Sequence, residues 1–244
     1  MSRNRLVPII LPEDAKYVRG LVVHEDNNII AFDKPAGLAV QTRGNRGPCL
    51  ENLLPAFAKS NGKIPRLVHR LDTGTSGILV AAKTKPMAAH LSEQFAKRLA
   101  KKTYLALVGG RVPVKRSGTI NQQLLKCLGE RGVPPMVPSQ DENAQAASTH
   151  WRIASKASDK ALFELRPLTG RMHQLRAHMK HLGCPILGDK LYGDKNSAPR
   201  LMLHASRLRL TLPDEEVLDL YSPMPVEMRE HATILGLAVP EKDA

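Results

Sequence analysis

The apolar residues of this chain are gathered into short runs, and the length of those runs restricts the fold more than any other feature. Leu21-Val22-Val23-His24-Glu25, Ile29-Ile30-Ala31-Phe32, Ile78-Leu79-Val80-Ala81-Ala82, Tyr104-Leu105-Ala106-Leu107-Val108, His150-Trp151-Arg152-Ile153 and Leu162-Phe163-Glu164-Leu165 are strand-sized. Runs this short, bounded by turn residues such as Asp26-Asn27-Asn28 and Gly109-Gly110, predict strands rather than helices. Leu201-Met202-Leu203-His204 opens a last strand pattern. Helical spacing is confined to 86–99, where Met87, Leu91 and Phe95 recur, to 171–182, closed by Gly183, and to a short stretch near 225–235. Strands and helices therefore mix without strict alternation, which predicts the α+β class. Residues 1–20 read as an arm or linker, 21–236 as one domain and 237–244 as a tail. Polar, Gly-containing stretches at 41–48 and 126–146 read as an exposed loop and a surface excursion.

Charge narrows the partners. The formal net charge is +13, and eight acids against two bases in Asp214–Ala244 leave about +19 on the residues before them. Such a body attracts polyanions, nucleic acid first among them. Aromatic residues make up only 4% of the chain, so a platform of stacked rings for single-stranded RNA is not expected. Cys49, Cys127 and Cys184 form no C-x-x-C pair, and reduced thiols in a cytoplasmic protein fit them best. No apolar run reaches membrane-spanning length.

The chemistry-bearing string is His69-Arg70-Leu71-Asp72-Thr73-Gly74-Thr75-Ser76-Gly77. With Leu67–Asp72 extended, Val68, Arg70 and Asp72 share one side of the strand. Asp72 then emerges where two glycines and three hydroxyls let the backbone bend and donate hydrogen bonds. A carboxylate presented there suits a nucleophile or base, and equally suits a plain turn in which it caps backbone N–H groups. Asp72-Thr73-Gly74-Thr75-Ser76 also marks aspartic proteases, but those need two carboxylates sharing a proton and this chain has one Asp-Thr-Gly.

The 171–182 helix offers a second charged group. At about 100° per residue, Met172, Met179 and Leu182 fall in a stripe around Leu175, with Arg176 about 40° beyond its edge. A part-buried Arg requires an anion, for which Asp72 is a candidate. His173, His178 and His181 could face a metal, but no nearby Asp, Glu or Cys completes a zinc pattern. They read instead as RNA-facing or as core residues with satisfied rings. Neither a Walker loop nor a dinucleotide fingerprint is present, so no cofactor is invoked.

His69-Arg70-Leu71-Asp72 with Thr75-Ser76-Gly77 resembles the signature of the RluA-type family of RNA pseudouridine synthases. Lys34-Pro35-Ala36-Gly37, Lys102-Thr103-Tyr104-Leu105-Ala106-Leu107-Val108, Leu168 to His178 running on to Pro185-Ile186-Leu187-Gly188-Asp189, and Arg200-Leu201-Met202-Leu203-His204-Ala205 resemble further blocks of that family in the same order. The resemblance covers roughly residues 21–230. It implies a long, mixed, bent sheet flanked by helices and loops, with a basic cleft for RNA. It implies isomerisation of uridine to pseudouridine after base flipping, with neither metal nor cofactor. Asp72 matches the nucleophile, Tyr104 the active-site tyrosine and Arg176 the basic partner of the aspartate. Arg70 matches an RNA contact that fills the gap left by the flipped base, and Leu203 an apolar wall of the uracil pocket. Lys34, His69, Arg171 and His173, inside the matching blocks, are expected RNA contacts. Large-subunit ribosomal RNA is the favoured substrate and tRNA the alternative, with a non-catalytic assembly factor on the same fold as a further reading. A monomer is expected. With only twenty or so residues before the first strand, the small S4-type module that many relatives carry is not expected.

Overall fold

The computed structural model describes residues 9–42, 49–127 and 135–240. They fall into two compact units, one formed by Met1–Ala100 with Leu208–Ser222 and the other by Lys101–Arg207 with Pro223–Ala244. The class is α+β, as the short apolar runs predict.

The first unit begins with α1 (Pro12–Gly20), where an arm was expected. Pro12 at the first helical position and Glu13 and Asp14 in the first turn are helix-start signals. Val18 is buried, and Arg19 donates to the Ala56 carbonyl while lying over the Phe57 ring. Next come β1 (Val22–Glu25) and β2 (Ile29–Lys34), joined by a turn in which one Asp26 carboxylate oxygen accepts the N–H groups of Asn28 and Ile29. After α2 (Leu50–Leu53) come β3 (Arg66–Leu67), β4 (Ser76–Ala82) and α3 (Lys85–Ala96), whose N-cap Thr84 accepts from the Met87 N–H. β1 pairs with β2, β2 with β4 and β3 with β4, all antiparallel. Residues 43–48 of the predicted loop lie outside the described residues.

The second unit holds β5 (Lys101–Gly109), β6 (Ser117–Asn121), β7 (Leu124–Lys126), β8 (Met136–Pro138), β9 (Ser148–Ala157) and β10 (Lys160–Pro167), followed by α4 (Gln174–His181). Its sheet runs β5-β10-β9-β6, with β6 at the edge. Among their described members, residues 126–146, expected as a surface excursion, supply β8, which pairs antiparallel with β7, and Met136 is buried beside Leu124 and Tyr192. The chain then forms β11 (Leu203–Thr211) and β12 (Val217–Tyr221) and ends in α5 (Val226–Ile234). Leu237, assigned to a tail, is buried in the second unit's core with Met228 and Ala232. Among the described residues no helix is long and apolar enough to cross a membrane.

Candidate active site

Asp72 belongs to the first unit. The backbone before it is not extended to Asp72 as expected, because β3 stops at Leu67. His69 bends away to accept the Val80 N–H at Nε2 (3.0 Å) and to stack on Phe95 with ring centroids 4.4 Å apart. The half-buried ring thus braces β4 against α3. Arg70 is exposed.

Asp72 opens a turn closed by the Thr75 N–H donating to the Asp72 carbonyl (3.0 Å). Gly77 sits at φ +110°, a conformation that favours glycine and lets β4 start immediately behind the turn. The Thr73 carbonyl is held from outside the turn by the Gly37 N–H (2.8 Å) and by Lys34 Nζ (3.3 Å). Lys34 also donates to the carbonyls of Pro35 and Leu38, each at 2.8 Å, and is wholly buried. Its expected role as an RNA contact is corrected for that reason. A lysine with no exposed surface, spending its donors on backbone carbonyls, clamps the Lys34–Gly37 loop onto the Asp72 turn. Lys34→Met should therefore cost about 1–3 kcal/mol in urea unfolding, since it strands buried acceptors. The Asp72 carboxylate itself is half-buried.

The second unit carries Tyr104 on β5, half-buried and directly opposite Leu165 of β10. Lys102, two residues earlier on the same face, was not singled out from the sequence. Burial holds its ammonium below the usual lysine range, and its Nζ lies near Gly170 in the turn that leads into α4. Its two-residue offset from Tyr104 was the available signal.

Arg176 is part-buried, as the helical spacing predicts, and it has an anion. One such anion is Asp189, which the wheel argument did not consider. Arg176 Nε and Nη2 each donate to an Asp189 carboxylate oxygen at 2.7 Å, and the guanidinium lies 5.1 Å from the Tyr192 ring centroid. Asp189 also accepts the N–H groups of Leu191 (2.9 Å) and Tyr192 (3.0 Å). Burial pushes its carboxyl upward, but the Arg176 hydrogen bonds and charge and the two N–H donors outweigh that and hold it below the ordinary range. Tyr192 completes the support, its hydroxyl accepting the Met136 N–H and meeting His173 Nδ1 at 3.2 Å. Gly188 permits the approach, because at φ +70° a Cβ would lie 1.9 Å from the Arg200 carbonyl oxygen. Gly188→Ala should lower stability by about 3 kcal/mol or more, seen as a fallen urea midpoint.

The start of α4 is fixed by buried Gln174. Its carbonyl oxygen accepts the Thr169 hydroxyl and the Arg171 N–H, and its amide donates to the Ser148 carbonyl and to Thr149. His178 is fully buried, with Nε2 donating to the Gln122 carbonyl and Nδ1 facing Thr149. Burial, above all, holds its pKa below the ordinary value, so it is a satisfied core histidine. His173 adopts a left-handed conformation (φ 53°) at the helix start, half-buried against Tyr192. Arg171 donates from Nε to the Ala146 carbonyl. Leu203 is buried in the core of the second unit.

The sequence model of a family described as RNA pseudouridylate synthase matches residues 28–181. Ribosomal large subunit pseudouridine synthase C of Rickettsia bellii is 38% identical over 194 residues, covering 78% of this chain and 63% of that protein. The chain thus spans less than two thirds of the length of that relative. An uncharacterized RNA pseudouridine synthase of Zymomonas mobilis is 38% identical over 208 residues, covering 84% of this chain and 93% of its own. Among solved structures, that of Human RNA Pseudouridylate Synthase Domain Containing 4 superposes with a TM-score of 0.77 at 31% identity, over 93% of this chain and 97% of that one.

Proposed function

Because the chain belongs to the RNA pseudouridylate synthase family, we propose that it isomerises uridine to pseudouridine in structured RNA, with large-subunit ribosomal RNA as its substrate. The observation that carries this reading is the Asp72 turn, which sets a half-buried carboxylate at the head of β4 and whose backbone is held by the Thr75 N–H, the Gly37 N–H and the buried Lys34. The relatives named for the large ribosomal subunit support the choice of RNA.

The reaction breaks the N1–C1′ bond and forms a C5–C1′ bond; the C5 proton is lost to water and N1 of the rotated base takes up a proton from water, so atoms balance. Cleavage builds positive character at C1′ and negative charge on the uracil. Asp72 answers the first as a carboxylate, by stabilising the cation, by forming a sugar ester or by taking the C2′ proton. Tyr104 packs on the base and accepts the C5 proton after rotation. Arg176 supplies fixed positive charge that favours ionised carboxylate, and Asp189 and Tyr192 keep it from wandering. Arg70, exposed beside Asp72, contacts RNA where the flipped uridine leaves its stack. The protein works as a cytoplasmic monomer without metal or cofactor.

The test is tritium release. C5-tritiated ribosomal RNA and tRNA are incubated separately with the protein. Release from large-subunit RNA is expected. Release from tRNA alone moves the substrate, and no release from any cellular RNA by folded protein overturns the enzyme reading in favour of an assembly factor.

A further inference from the structure

The register of the second unit's sheet separates its two faces. Tyr104, Leu165, Trp151 and Gly118 lie in one row across β5, β10, β9 and β6. Their chain neighbours Glu164, Arg152 and Ser117 form the adjacent row, with Arg166, His150 and Thr119 in the row beyond. Adjacent residues of a strand point to opposite faces, so these six project from the face opposite Tyr104. They line a groove of about 340 Å³ beside the edge strand, a size that accommodates a nucleotide.

Its floor is charged in an unusual way. Glu164 is buried and takes both guanidiniums, Arg152 on one carboxylate oxygen and Arg166 on the other, at 2.7 and 2.5 Å. Burial would raise its carboxyl, but the Arg152 hydrogen bond and the charges of both arginines hold it below the ordinary range. One acid between two cations leaves a net positive charge. The arginine side chains are 58% and 62% exposed, and their remaining N–H groups have no protein partner among the described residues. A cross-strand ion pair alone would need only Arg152, which sits opposite Glu164. The second arginine turns the pair into a braced fork whose outward donors match a phosphate. The hydroxyl of Thr119 and the ring of His150, joined at 2.6 Å, border it.

We propose that this groove is a second RNA contact, binding the phosphodiester backbone of substrate RNA that passes around the β6 edge, away from the uridine being modified. The inference rests on the RNA-modifying reading above and adds a contact on the other side of the sheet. It predicts that affinity for long RNA depends on the groove while the chemical step does not.

The test compares wild type with Arg166→Gln, which leaves the Arg152–Glu164 pair intact, and with the triple variant R152Q/E164Q/R166Q, which strands no buried charge. Filter binding to a labelled single-stranded 40-nucleotide RNA is measured across salt, and tritium release from ribosomal RNA is followed in parallel. The triple variant is expected to lose about tenfold in affinity and to shallow the log–log salt slope by about 0.7, the value for one phosphate on a single strand. Arg166→Gln removes the same net charge and is expected to shallow the slope by about the same amount. In turnover, KM should rise with kcat within about twofold. Unchanged affinity and slope in the folded triple variant overturn the proposal, and so does a fall in kcat without a change in KM. Absence of tritium release by wild type is a separate failure, that of the enzyme reading, and leaves the binding comparison to decide whether the groove takes RNA.

Discussion

Asp72→Asn should reduce tritium release by about four orders of magnitude, the scale seen when a residue at the centre of covalent or charge-stabilising chemistry is removed. The size of that loss is interpretable because of how the turn is built. The Thr75 N–H bonds to the backbone carbonyl of residue 72, and Lys34 and Gly37 hold the Thr73 carbonyl. None of these contacts uses the carboxylate, and an asparagine amide has nearly the same shape. The backbone of the turn should therefore survive the substitution, and the variant should bind RNA within a few fold while kcat collapses. Normal turnover by the asparagine variant would remove Asp72 from the reaction. A collapse in midpoint as well would mean that the side chain is structural.

Asp189→Ala should cost about 3–5 kcal/mol of stability, the range for removing one member of a buried ion pair. The Asp189 side chain is fully buried and that of Arg176 is 12% exposed, so water cannot readily replace the missing acceptor. The N–H groups of Leu191 and Tyr192 lose the same carboxylate. Asp189→Asn keeps an acceptor for them and should fall between the two. The pH dependence has a definite sign. The folded carboxyl is held below the unfolded value of about 3.9. Its contribution is thus fully present above that value and is lost as pH falls through the lower folded pKa. Urea unfolding at stepped pH should show this increment disappearing in acid for wild type and missing in Asp189→Ala.

The parts of the fold that could be read in the sequence are those set by local pattern. Strands β4, β5 and β10 are unbroken apolar runs, and α4 ends at Gly183, whose φ of +85° is the conformation a helix-terminating glycine supplies. Direction of burial was less legible. Lys34 and His69 are polar residues in matching blocks, and composition does not tell an inward lysine from an outward one. Asp189 was not read as an anion for Arg176, because it lies beyond the helix and no periodicity connects them. Helix α1 lies in the stretch that reads as an arm: Pro12 stands at the first helical position, where its missing N–H costs nothing.

The division of the chain between its two units also bears on how the protein is made. The core of the first unit joins Ile29, Ile78, Val80 and Leu91 to Leu208, Leu210 and Leu220. Those last three leave the ribosome only after the whole run from Lys101 to Arg207 has been synthesised. At about 5–20 residues per second, β1, β2 and β4 must wait for several seconds without the leucines that finish their core. The second unit has most of its strands in hand by then. The Asp72 half is therefore held open while the whole run from Lys101 to Arg207 is made, and a nascent chain stalled before Leu208 should show protease resistance in residues 101–207 ahead of residues 9–100.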